Sequence, residues 1–362
     1  MKSFSDFIVD TKKLKNNAYN IKGILNRNTK LCAIVKANAY GIGVETVCKT
    51  LYGIVDFFAV SSVYEALNIR VFDKITPIVV LGVTDIDNIE ICSKSNISIS
   101  ISSLEKLLQI MDFCDKHQTI INIHLQINTG LNRYGFRSIA LFREGLICIK
   151  KCKYIKLEGV YSHFATKEND VGFIKKQFVR FNQFKKYVKE DNVIFHMANS
   201  YATLFDNKFH MDMVRNGFLL YGGTKNNIGN KFVLSIKSKI VNIIDAKKGD
   251  TIGYDRTYVA KKNMTIGIIP LGYADGYDRR LSNKFFVLIN GEKCNIVGNI
   301  CMDCFMVDVS QVGAKIGDSV VLLGVQKNNE ITIYDIANVL GVSPYEVLLK
   351  LNYRRMNYII KN

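Results

Sequence analysis

Lys36 stands where an apolar run, residues 31–35, gives way to the polar, glycine-containing turn Ala37-Asn38-Ala39-Tyr40-Gly41. The run reads as a buried strand. A lysine at the mouth of such a strand is expected to lose hydration, which favours its neutral amine over the ammonium. Neutral amines attack carbonyls, so Lys36 is placed to form a Schiff base with a carbonyl substrate or with pyridoxal phosphate. The competing reading is a strand-capping surface lysine. With 49 Lys plus Arg in the chain, that is the default for any single one, and other residues must lift Lys36 out of the background.

The elements that would carry such a lysine follow a regular rhythm. Strand candidates fall at 31–35, 56–60, 77–82, 97–101, 121–127, 157–161, 193–195 and 218–221. Between them run helical patterns at 44–54, 63–71, from Leu104 through Leu107, Leu108 and Met111, at 139–150, and at 171–188 with the stripe Phe173, Ile174, Phe178, Phe181 and Phe184. A first helix runs from Asp10 through Leu14, Ala18, Ile21 and Leu25, with Asp10 or Thr11 as its cap. Roughly eight strands separated by helices favour a parallel (β/α)8 barrel of the TIM type, with an open doubly wound sheet as the alternative.

After Gly222-Gly223 the texture changes. Residues 225–231 form a polar, turn-rich linker, and helical periodicity largely disappears beyond it. Strands are expected at 232–244, 264–271, 285–289, 295–300, 305–309 and 319–323, with a short helix at 334–340. The expected organisation is an α/β barrel over residues 1–228 and a mostly β C-terminal domain over 229–362.

Composition bounds the function classes. The chain has 362 residues, 48% of them hydrophobic, ample for two cored domains. No apolar run is long enough for a membrane span, and Met1-Lys2-Ser3-Phe4-Ser5-Asp6 is too polar to open a secretory signal. Nine cysteines without a regular framework suit a reducing cytoplasm. Cys301 and Cys304 form a C-x-x-C that lacks the second pair or histidine a metal site needs, so no metal is expected. The net charge of +17 is spread over helix faces without a nucleic-acid-binding signature. A solvated basic surface is expected, not a nucleic-acid or membrane interface.

Several short motifs stand in order along the chain: Val35-Lys36-Ala37-Asn38-Ala39-Tyr40-Gly41, Asn128-Thr129-Gly130-Leu131-Asn132-Arg133, Ser162-His163-Phe164-Ala165, Ala198-Asn199-Ser200 and Val214-Arg215-Asn216-Gly217. Then come Gly253-Tyr254-Asp255-Arg256-Thr257-Tyr258, Leu271-Gly272-Tyr273-Ala274-Asp275-Gly276-Tyr277, Cys301-Met302-Asp303 and Asn352-Tyr353-Arg354. With this ordered set the chain resembles the alanine racemase family, bacterial fold-type III pyridoxal-phosphate enzymes, over essentially its whole length.

The resemblance implies the following roles. Racemisation removes a proton from one face of a carbon and delivers another to the opposite face, so two bases are the simpler solution. Lys36 would hold the cofactor and act on the D-isomer, and Tyr254 would act on the L-isomer. Free tyrosine has a pKa of ~10, so Tyr254 needs a neighbour, supplied through His163 and its link to Arg215. Arg215 would face the pyridine nitrogen, leaving it unprotonated and the ring a weaker electron sink. Tyr40, Ser200, Gly217, Phe218 and Tyr353 would bind the cofactor phosphate, with Asn199 in the same cofactor-binding set. Arg133 and the N–H of Met302 would meet the substrate carboxylate, with Tyr273 lining the entrance. The family dimer is head-to-tail, so Tyr254, Tyr273 and Met302 would act on the partner's Lys36.

Departures from the family pattern are local. Gln126 stands where many members carry a carbamylated lysine that orients the arginine matching Arg133; glutamine cannot be carbamylated, so no such modification is expected. Asn216 replaces a common proline and Ile42 a common histidine. Apart from the resemblance, Tyr254 is one of 18 tyrosines and a lone histidine is more often a core residue than a catalyst. The rivals are a racemase for serine or another amino acid, a related decarboxylase, and a non-catalytic pyridoxal-phosphate carrier. A chiral assay over a panel of L-amino acids separates the first two, and the carrier leaves the second domain and Tyr254 without a role.

Overall fold

Short runs of Ile, Val, Leu, Phe and Ala, buried on both faces, suit parallel strands wrapped by helices. In the computed structural model, which describes residues 3–166, 170–225 and 228–362, the chain divides into two compact units. One comprises Lys13–Ala39 and Gly43–Lys231; the other comprises Met1–Lys12, Tyr40–Ile42 and Phe232–Asn362. Residues 226 and 227 of the expected linker, and residues 1 and 2 of the polar N-terminus, lie outside the described residues.

The first strand, β1 (Asp6–Asp10), belongs to the second unit. The barrel of the first unit consists of β2 (Lys30–Ile34), β3 (Phe57–Val60), β4 (Ile78–Val80), β5 (Ile97–Ile101), β6 (Ile121–Gln126), β7 (Ile155–Tyr161), β8 (Ile194–His196) and β9 (Met213–Asn216). All neighbours are parallel, and β2 pairs with β9 to close the barrel. This is the expected (β/α)8 architecture. One strand differs: residues 218–221 form a turn, and the closing strand lies earlier, at Met213–Asn216. The apolar Phe218-Leu219-Leu220-Tyr221 is buried all the same, so burial without a second polar face misled the reading of period.

The helices pack as their spacing dictates. Val171–Lys185 buries Ile174, Gln177, Phe181 and Phe184, an i, i+3, i+7, i+10 stripe, and is capped by Asp170 Oδ1 accepting from the Phe173 N–H. Each fully buried apolar side chain on that stripe contributes roughly 1.5–3 kcal/mol. Gln177 is the exception in chemistry: its amide donates to Thr129 Oγ1 and the His163 carbonyl and accepts from the Ala165 N–H. It tethers the segment after β7.

The second unit is mostly β. Its largest sheet places β1 between Leu234–Lys239, antiparallel, and Asn357–Lys361, parallel. A three-stranded sheet joins Asn242–Ala246, Met264–Ile269 and Phe305–Asp308. The expected helix appears as Ile333–Leu340, and a second, Pro344–Lys350, follows it. The strand expected at 295–300 is instead Glu292–Asn295, paired with Phe286–Ile289, because Asn290-Gly291 supplies the tight turn between them. β1 was not anticipated, since only Phe7 and Val9 mark its buried face.

Candidate active site

Lys36 follows β2 directly and opens a turn of unusual hand. Ala37, Asn38, Ala39 and Tyr40 all have φ between 52° and 58°, a left-handed region costing roughly 1–2 kcal/mol per L-residue. Barrel contacts hold the turn in place. The Ala37 N–H donates to Glu65 Oε1 at 2.6 Å, and Glu65 Oε2 accepts from Ser61 N–H and Oγ–H at the end of β3. Asn38 Oδ1 accepts from the Val44 N–H at 2.8 Å. Lys36 itself is exposed. The expected loss of hydration is therefore not supplied by this chain's own strand and turn.

Beside β2 lies Arg215 of β9, in register with Cys32. Its guanidinium is buried and donates from Nη1 to His196 Nδ1 at 2.7 Å, and from Nη2 to the Ser162 carbonyl at 2.8 Å and His163 Nδ1 at 3.2 Å. It also lies 5.3 Å from the centre of the Tyr161 ring. Among the described residues no hydrogen bond is made by its Nε–H. Because an arginine only donates, His163 Nδ1 must accept, which puts the His163 proton on Nε2. Burial and the Arg215 charge push His163 down to about 3, so the ring is neutral. Tyr161 is pushed up to about 12 by burial, and its hydroxyl pairs with Ser100 at 2.6 Å.

One buried histidine and one half-buried make this site sensitive to acid. His163 and His196 are both held below their ordinary value, His196 by burial and then by Arg215. The unfolded chain takes up these protons near ~6.5 and the folded one does not. Stability is therefore full above that value and is lost as the pH falls from there toward about 3. Thermal melts should drop between pH 7 and pH 4, and a His163→Gln variant should show a shallower drop; an equal slope would contradict the assignment.

The remaining barrel residues form the rim. Ser200 Oγ accepts from the Gly217 and Leu219 N–H groups, each at 3.2 Å, so its own proton is left to donate outward. Asn199 uses Oδ1 to cap Ser200–Phe205, and among the described residues no hydrogen bond is made by its NH2 group. Phe218 is buried alongside. Arg133 is exposed on a loop folded over Asn128, whose Oδ1 accepts from the Gly130 and Asn132 N–H groups. Gly135, at φ +112°, allows this loop to close: a Cβ there would sit 2.7 Å from the Asn128 nitrogen. A Gly135→Ala variant should lose at least about 1–3 kcal/mol in a denaturant melt. Among the described residues no hydrogen bond joins Gln126 to Arg133.

The second unit brings its own candidates together. Tyr254 is 70% exposed at the tip of the hairpin Thr251–Ile252/Tyr258–Val259. Asn299 Nδ2 donates to the Tyr254 carbonyl and to Asp255 Oδ2, both at 3.0 Å, while Arg279 also donates to Asp255. The Asn299 carbonyl accepts from Cys301 Sγ, which links the hairpin to the Met302 loop. Tyr273 and Ala274 in turn donate from their N–H groups to the Cys301 and Met302 carbonyls at 3.1 and 2.9 Å. Gly272 makes that approach possible, since a Cβ would lie 2.4 Å from both oxygens. Tyr254, Tyr273 and Met302 thus share one braced group of loops, and all three are exposed. In the same unit Tyr40 packs on Tyr345, and Tyr353 on Phe7 and Tyr358.

The comparisons with known proteins cover both units. Models of the alanine racemase N-terminal and C-terminal domains match residues 9–225 and 233–359. The chain is 35% identical to alanine racemase 2 of Caldanaerobacter subterraneus subsp. tengcongensis over 357 residues, 96% of this chain and 92% of that protein. It belongs to the alanine racemase family. Among solved alanine racemases, the crystal structure of the E. faecalis enzyme superposes with a TM-score of 0.93 at 29% identity, covering 98% of each chain. That of Bartonella henselae, described with covalently bound pyridoxal phosphate, gives 0.89 at 25% identity over 98% of this chain and 99% of the other.

Family membership makes the chain a racemase, an enzyme with a barrel and a mostly β domain. Residue-level reasoning missed the polar support behind the site: Gln177, His124, His196, Glu158 and Asn299. Gln177 left a signal, since it falls on the apolar stripe of its own helix. The others could not be separated from ordinary strand and loop residues.

Proposed function

We propose that the chain interconverts L- and D-alanine with pyridoxal 5′-phosphate, using two bases on opposite faces of the substrate α-carbon. The observation that carries this reading is the placement of Lys36, directly after β2, and the buried Arg215 on adjoining β9, whose Nε–H makes no hydrogen bond among the described residues. The donor set suits the cofactor. An amine, a guanidinium Nε–H without a hydrogen-bond partner among the described residues, and the Ser200 hydroxyl with its proton left to donate match an aldehyde, a ring nitrogen and a phosphate.

When bound, the cofactor acidifies the substrate Cα–H by spreading the developing charge into its ring. Lys36 holds the cofactor and moves a proton at Nζ for the D-isomer. Arg215 keeps its own protons, so it donates to the ring nitrogen without protonating it and restrains side reactions. Tyr254 moves the proton for the L-isomer at its phenolic oxygen, and His163, with its proton on Nε2, is the donor that stabilises that oxygen when charged. Ser200, Gly217, Phe218, Tyr40 and Tyr353 hold the phosphate end, with Asn199 in the same cofactor-binding set. Arg133 and the Met302 N–H take the substrate carboxylate, and Tyr273 narrows the entrance.

The working unit in this reading is a homodimer, in which Tyr254, Tyr273 and Met302 of one protomer meet Lys36 of its partner. The exposure of these residues in a single chain supports it. The barrel then supplies Lys36 and Arg215, and the mostly β domain supplies the second base together with Tyr40 and Tyr353 for the phosphate. D-Alanine so made would feed peptidoglycan precursors in the cytoplasm. No helix among the described residues is long and apolar enough to cross a membrane.

Solvent-deuterium incorporation at Cα from each alanine enantiomer tests whether the chain racemises alanine by exchange at that carbon. Deuterium entering from both enantiomers is expected, and none entering from either would overturn it. Because Gln126 cannot be carbamylated, the intact mass should equal that of the unmodified chain, and turnover should be indifferent to added bicarbonate.

A further inference from the structure

Behind Arg215 a row of polar groups crosses the barrel interior. Arg215 Nη1 lies 2.7 Å from His196 Nδ1, His196 Nε2 lies 2.8 Å from His124 Nδ1, and His124 Nε2 lies 2.9 Å from Glu158 Oε2. Ser98 Oγ–H donates to the same carboxylate oxygen. The row begins at β9 and passes through β8 and β6 to β7. Both imidazoles are fully buried, while the carboxylate side chain is 24% exposed.

The chemistry of the two ends dictates where every proton sits. Arginine can only donate, so His196 Nδ1 accepts and the His196 proton is on Nε2. That proton is given to His124 Nδ1, which puts the His124 proton on Nε2 as well. There it meets a carboxylate, which can only accept. One arrangement satisfies all three bonds, and both ends demand the same one. Burial and Arg215 hold His196 neutral, and hydrogen bonds from His124 and Ser98 hold Glu158 ionised against its own burial.

The backbone is shaped around this row. Gly159, next to Glu158, faces the His124 ring so closely that a Cβ would lie 2.3 Å from Nδ1. The β6–β7 register also shifts between Ile123 and His124. Arg215 needs such support: among the described residues no carboxylate is bonded to its buried guanidinium, only two carbonyls within 3.4 Å, two imidazoles and the Tyr161 face. A buried charge without a counter-ion is costly, and a polarised chain ending on a carboxylate offsets part of that cost.

We propose that Glu158 is a positioning residue for the racemase site, acting through His124 and His196 to fix one tautomer in each ring and so hold Arg215 with Nε–H toward the cofactor. The proposal rests on the role given to Arg215 above. The structural claim can be read without turnover, because the chain has five histidines and a 15N-histidine spectrum of the cofactor-loaded protein is sparse. The native protein should show His124 and His196 with bare Nδ1 and protonated Nε2; a protonated Nδ1 on His196 overturns the proposal before any variant is made.

Two substitutions carry it to function. Glu158→Gln keeps an acceptor oxygen for His124 and should retain the native tautomers and cofactor release rate. Glu158→Lys places a donor at each end of the row, so one of the three bonds must fail. Loss of a native tautomer signature, release of cofactor about tenfold faster, and a fall in kcat with little change in KM are expected. Native signatures and native cofactor release in Glu158→Lys would overturn the proposal. If the native tautomers are as stated but the loaded protein does not racemise alanine, the functional reading fails and the proton order of the row does not.

Discussion

A Tyr254→Phe variant should keep its cofactor and lose turnover from L-alanine by roughly 10²–10⁴-fold, the usual worth of a positioned proton carrier. The substitution removes one oxygen from a side chain that is 70% exposed and whose loop is braced through backbone carbonyls and Asp255, not through the phenol. Stability should therefore be unchanged, and the loss is one of chemistry. Lys36 would still act on the D-isomer, so solvent deuterium should continue to enter Cα from D-alanine and cease to enter from L-alanine. Undiminished exchange from L-alanine would assign the second base elsewhere.

Two inactive variants should make an active enzyme when combined. In the two-base homodimer proposed above, Lys36→Ala would remove one base and Tyr254→Phe the other, so each homodimer would be dead. In co-expressed chains half the dimers are mixed. If Tyr254 serves the neighbouring protomer, each mixed dimer has one site with both bases intact and one with neither, and about a quarter of native activity returns. If Tyr254 served its own chain, every site in the mixture would lack one base and no activity would return. The outcome is all or none, and it tests the shared site without depending on a rate constant.

The barrel was legible because a parallel sheet covered on both faces must be written in short apolar runs, and runs such as 97–101 leave little freedom in where a strand falls. The closing strand was not, because Met213-Val214-Arg215-Asn216 carries a charge and an amide into the interior, while the fully apolar Phe218-Leu219-Leu220-Tyr221 is a buried turn. Function overrides pattern at that point. Lys36 was found from its place at a strand end, yet its exposure was not foreseen, since nothing in Val35-Lys36-Ala37 signals a left-handed exit. The row from Arg215 to Glu158 escaped notice for another reason. Its members lie on four strands, and only the barrel's closure makes neighbours of residues so distant in the chain.

The reversed hand after Lys36 has a stereochemical consequence. Every residue from Ala37 to Tyr40 adopts the conformation that is the low-energy one for the mirror-image amino acid. A semisynthetic chain with D-alanine at exposed position 37 would hold this backbone with its chiral centre at ease, where the natural L-residue is strained. In a chain that belongs to the alanine racemases, the peptide after Lys36 would then be relaxed by one of the two enantiomers the family is named for interconverting.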